Sequence, residues 1–126
     1  MVTPDPGKTS RVRALVQMWY SERAQEVYER RLKACYDRVR HHGIPRPSLR
    51  LRKMKTRWGS CTRNCTIVLN PDLVRLPTPC IDYVITHELC HLRLHNHSQA
   101  FYRLLSNCMS DWMTRRERLN LVAVQS

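Results

Sequence analysis

The segment His87-Glu88-Leu89-Cys90-His91 constrains this chain more than any other. On a helix, residues i and i+4 project from one side. Two imidazoles can therefore grip one metal ion while Glu88 lies beside them, within reach of a water that the ion polarises. The flanking residues read as the helix this chemistry needs. Thr78-Pro79 looks like an N-cap followed by proline at the first helical position, and Asp82 falls in the first turn. Ile81, Val84, Ile85, Leu89 and Leu92 form an apolar stripe. Zinc suits imidazole and lowers the pKa of its water to about 7, where Glu88 can accept the proton.

A catalytic site of this type takes three protein ligands and leaves one position open. His97, six residues after His91, is the leading candidate for the third, because the chain has to turn before the next helix. His95 competes if the helix continues. The ligand spacing is that of the metzincin proteases, but Leu94 stands where those carry a turn-making glycine. Ser98 then caps a further helix with Phe101, Leu104, Leu105, Cys108, Met109 and Trp112 on one face, and a last short helix is expected to end near Leu119.

Upstream, Ala24, Val27, Tyr28, Cys35, Tyr36 and Val39 recur at helical spacing in a basic amphipathic helix over residues 9–42, after a flexible leader over 1–8. From Ser48 the period becomes two, with Leu49, Leu51, Met54, Thr56 and Trp58 alternating with Arg50, Arg52, Lys53, Lys55 and Arg57. That alternation, followed by a turn at Thr62-Arg63-Asn64 and the run Thr66–Leu69, predicts a small antiparallel three-stranded sheet. The fold expected is α+β, in a single domain over 1–126.

Residues 1–57 hold 15 basic and 5 acidic side chains, and 18 of the chain's 22 cations are arginine. Such a half favours an anionic partner, with nucleic acid or a nucleotide as the chemical class. The six cysteines form no Cys-x-x-Cys pair, and most sit in helical patterns, so they read as small buried residues. Pairing of Cys61 with Cys65 stays open. The opening residues show neither an apolar h-region nor a cleavage site, so a cytoplasmic location without a membrane partner is expected.

The blocks Lys55–Cys61, Ile67–Asn70, Ile81–Leu92, Asn96–Ser98 with Phe101, and Asp111-Trp112 together resemble the YgjP-like metallopeptidase-domain family, grouped with the SprT-like and WLM zinc proteases. The resemblance covers residues 46–119. It implies a minimal zincin-like fold with one Zn²⁺ on His87, His91 and His97, and Glu88 as catalytic base. It also departs from the family at Cys90, where alanine is usual, at Ser110, where proline is common, and in a β-rich N-terminal segment that longer members carry.

Arg57, Trp58, Asn70, Tyr83, His95 and Tyr102 are candidates to bind substrate or stabilise developing oxyanion charge, and the sequence does not choose among them. Arg50, Arg52, Lys53 and Lys55 are candidate anion contacts. A zinc metallopeptidase acting on a peptide or protein, with proteins held on nucleic acid as one substrate class, is the expected function. Two alternatives are a nucleotide pyrophosphatase on the same site, as the resemblance allows, and a basic DNA-binding module with a structural zinc. Other divalent ions also fit imidazole ligands.

Overall fold

The computed structural model describes residues 6–125. Helix α1 spans Pro6–Val39, followed by a 3-10 turn at Arg40–His42. The expected leader over 1–8 is therefore corrected at Pro6–Lys8, which are helical, while residues 1–5 lie outside the described residues. Gly43 stops the helix at φ 76°, a conformation that costs glycine no Cβ clash. The buried face of α1 is Ala24, Tyr28, Cys35 and Val39, in the spacing expected, and Tyr36 donates from its hydroxyl to the Ile44 carbonyl at 3.0 Å, fastening the turn.

Strands β1 (Ser48–Leu51), β2 (Gly59–Cys61) and β3 (Thr66–Leu69) form one sheet in the order β1-β3-β2. β2 and β3 are the expected antiparallel hairpin, but β1 runs parallel to β3, with Ser48 opposite Thr66 and Leu51 opposite Leu69. The sheet is mixed, which corrects the antiparallel reading. The cause lies in residues 52–58, whose alternation predicts strand. They form instead a connection that carries the chain past the central place to the far edge, leaving β3 to insert between. Two of its carbonyls, Met54 O and Arg57 O, accept hydrogen bonds from the Asn70 side-chain amide at 2.8 and 3.1 Å. A side chain distant in sequence thus takes the place of a ladder partner.

A 3-10 turn at Pro71–Arg75 leads to α2 (Thr78–Arg93), followed by α3 (Gln99–Cys108) and α4 (Trp112–Gln125). Thr78 is the first helical residue of α2 rather than its cap, and α4 continues beyond the expected end at Leu119. Ser98 caps α3 as expected, its hydroxyl accepting from Phe101 N at 3.3 Å. α2 lies at the centre of the fold. Every residue from Cys80 to His91 except His87 is buried, against α1 on one side and the sheet, α3 and α4 on others. Asp82, read from sequence as a helix-dipole partner, instead takes two hydrogen bonds from the Arg31 guanidinium of α1, at 2.8 and 2.6 Å. This bidentate pair neutralises a buried carboxylate and joins the two longest helices.

All six cysteines are free, and Cys65 donates its thiol to the Arg46 carbonyl at 3.7 Å. Among the described residues no helix is long and apolar enough to cross a membrane.

Candidate metal centre

His87 and His91 face one side of α2, one turn apart, with ring centroids 4.7 Å apart. After Arg93 the chain leaves the helix through Leu94, whose extended backbone (φ −126°) makes the turn without a glycine. It returns with His97 opposite His91, their Nε2 atoms 2.9 Å apart. One ligand atom from each of His87, His91 and His97 lies within 4.8 Å of the other two. His95 is exposed on the rim of the same groove, outside this triad.

The surroundings fit a metal. The ring of His91 donates from Nδ1 to the Leu94 carbonyl at 3.1 Å, which leaves the Nε2 lone pair facing His97. Burial pushes the His91 pKa below its ordinary value, favouring the neutral imidazole that ligation requires. Imidazole nitrogens at about 2.0–2.1 Å from a tetrahedral ion lie about 3.3 Å apart; here His91 and His97 stand at 2.9 Å and the three ligand atoms lie within 4.8 Å of one another. Phe101, fully buried on α3, forms the floor. Its ring stacks on His91 (4.3 Å, 20°) and meets His87 and His97 edge-on at 5.1 and 5.2 Å. Tyr102 stacks on His97 at 6.2 Å and on Trp112 at 5.4 Å, backing the imidazole that comes from the loop.

Glu88 is buried, its Oε2 3.6 Å from His87 Nδ1. Its stem rests on β2, where a Cβ at Gly59 would sit 3.3 Å from Glu88 Cγ and 3.0 Å from Val84 Cγ1. The close approach that Gly59 permits is therefore that of α2. Gly59, Ser60, Cys61, Arg57 and His95 complete an open groove of about 480 Å³ around Glu88 and the triad. β2 is an outer strand of the sheet, and its residues Gly59–Cys61 line this groove. Burial, with the Glu88 carboxylate and Cys65 adding to it, pushes the Cys61 thiol up to about 11, so it faces the groove uncharged.

The remaining candidates divide by position. Arg57 and His95 line the groove, and Arg57 also borders the neighbouring cavity formed by Met54–Trp58 with Asn70 and Asp72. Asn70 is buried and fully engaged: besides Met54 and Arg57, it binds Trp58 O through its backbone N–H, and Asp72 N through Oδ1. Trp58 is half-buried against the core and lines that neighbouring cavity. Tyr83 is buried beside His87 at 5.8 Å, and Lys55 lines the neighbouring cavity with Asn70, outside the metal groove. Arg50 and Arg52 flank a separate groove over the hairpin, and Lys53 is exposed outside the metal groove. Sequence reasoning gave Phe101 only a core role, although its place four residues after His97 was visible. The Leu94 carbonyl is a backbone group and leaves no mark in side-chain identity.

A family model described as YgjP-like, metallopeptidase domain, matches residues 1–121. Among solved structures, the metallopeptidase zymogen abylysin of Pyrococcus abyssi is similar at 25% identity and a TM-score of 0.63, over 73% of this chain and 90% of that one. The metallopeptidase zymogen jannalysin of Methanocaldococcus jannaschii shares the fold, at 20% identity and a TM-score of 0.61, over 78% and 94%. No curated protein matches.

Proposed function

Since this chain belongs to the YgjP-like family of metallopeptidase domains, with a divalent metal implied, we propose that it is a zinc-dependent peptidase with His87, His91 and His97 as ligands and Glu88 as general base. The observation that carries the reading is the convergence of three imidazoles from two segments beside a buried carboxylate, at the mouth of an open groove. A bound ion of this kind supplies Lewis acidity to a scissile carbonyl and to water. Glu88 then takes a proton from the attacking water and passes it to the leaving amine, held for both transfers by its packing on Gly59. A peptide lying along the outer edge of β2 presents its backbone to these groups by strand addition. The reading treats the chain as one domain, because α1, the sheet, α3 and α4 all contribute to the core around α2.

The groove's openness along β2 favours an extended peptide over a nucleotide, which calls for an enclosed pocket. Glu88→Gln should retain stoichiometric zinc and lose peptide hydrolysis by about 10²- to 10⁴-fold. Full activity in that variant removes the enzymatic reading, and release of pyrophosphate from nucleoside triphosphates without peptide cleavage replaces the substrate. A nucleic-acid setting is supported by the basic N-terminal half alone. It requires duplex DNA binding that weakens steeply with salt.

A further inference from the structure

We propose that Arg57 selects substrates by gripping a carboxylate within about two residues of the scissile bond, an inference that rests on the peptidase reading above. Residues 38–71 contain nine Lys and Arg and no Asp or Glu, and of these cations only Arg57 lines the metal groove. Among the described residues Arg57 has no carboxylate partner, and Glu88 is the groove's sole acid. The guanidinium is therefore available as a planar donor fork, which matches a carboxylate bidentately.

Its presentation is built into the fold. The residue lies outside the three strands, in the connection between β1 and β2, and its carbonyl is held at 3.1 Å by Asn70, which is only 3% exposed. Asn70 is fixed in turn, since Tyr28 of α1 donates its hydroxyl to the Asn70 carbonyl at 2.7 Å and Asn70 N donates to Trp58 O at 2.9 Å. One buried amide thus ties the base of Arg57 to the core, which limits the entropy lost when the side chain engages a ligand. Arg57 lies two residues before Gly59, where Glu88 meets the strand, so at most about 7 Å of chain separates Arg57 from Gly59. A peptide paired with β2 brings a side chain, or its own C-terminal carboxylate, to that distance.

The test uses the zinc-loaded full chain and matched internally quenched peptides carrying Glu, Gln or Lys at each of the two positions on either side of the cleavage point. A further pair differs only in a free or amidated C-terminus. The expected preference for the carboxylate is about 10- to 100-fold in kcat/KM, the range of hydrogen bonds to charged groups, and it should fall as salt rises. Glu over Gln identifies a side-chain carboxylate, and free over amidated identifies the terminus. Arg57→Gln should bring the ratio near one, Arg57→Lys should keep part of it, and Arg57→Glu should turn it toward Lys. A wild-type ratio near one, or a ratio that survives Arg57→Gln, overturns the assignment. If no peptide is cleaved, the peptidase reading fails separately, and binding of the same peptides to zinc-loaded Glu88→Gln still reads the preference. A short DNA duplex that displaces the Glu peptide from Arg57→Gln as well as from the parent chain places the polyanion elsewhere, whereas displacement that requires Arg57 and exceeds that by the Glu peptide itself overturns the carboxylate assignment.

Discussion

Helix α2 and the first half of α1 are both rich in functional-looking residues, but the fold treats them in opposite ways. From Cys80 to His91 nearly every side chain of α2 is enclosed, so His87, Glu88 and His91 have fixed neighbours. Among the described side chains of α1, Arg11, Arg13, Leu15, Trp19 and Arg23 are exposed, and the first buried one is Ala24. Chemistry that depends on ångström-scale placement sits where packing holds each group from several sides. Charge that acts through its long-range field needs no such support. The difference is testable, because substitutions in the first region should change both metal binding and stability, while those at the exposed arginines of the second should change neither.

The largest effect is expected at His91. His91→Ala removes a proposed ligand and opens space beside Phe101, so stoichiometric zinc and peptide hydrolysis should both be lost. Metal analysis after dialysis checks this, and retained zinc would break the contrast between the two helices. Phe101→Ala should follow, costing about 3–5 kcal/mol of stability. It should also weaken metal binding, since it removes the floor shared by all three rings. Chemical unfolding with and without metal separates the two effects.

Arg31→Met comes next, because it leaves the buried Asp82 carboxylate without its bidentate partner. The expected cost is about 1.5–3 kcal/mol, reduced toward the lower end by the partial exposure of Arg31. The smallest effect belongs to exposed α1. Joint replacement of Arg11, Arg13 and Arg23 by Gln should shift stability by about 0.5 kcal/mol or less per site and leave hydrolysis of a neutral peptide unchanged. A large loss of either would show that this half of α1 packs on something the contrast ignores.

The same contrast explains what was legible from sequence. Local periodicity exposed α2, the β2–β3 hairpin and the Ser98 cap, and ligand spacing pointed to His97 over His95, because each depends on residues a few positions apart. What was hidden depends on distant partners. Arg31 meets Asp82 across 51 residues, and Asn70 takes carbonyls 13 and 16 residues upstream, converting an alternating segment into a connection. The parallel pairing of β1 follows from that connection and from no feature of β1 itself. Leu94 closed the turn without glycine because an extended backbone sufficed, a conformation open to any residue.

X-ray absorption at the zinc edge of the purified, zinc-loaded chain reads the proposed ligand set itself. One ion per chain is expected, with three imidazole nitrogens at about 2.0–2.1 Å, an oxygen completing the shell, and loss of one imidazole in His97→Ala but none in His95→Ala. A sulfur shell near about 2.3 Å, which would implicate Cys61, or an unchanged shell in His97→Ala would contradict it.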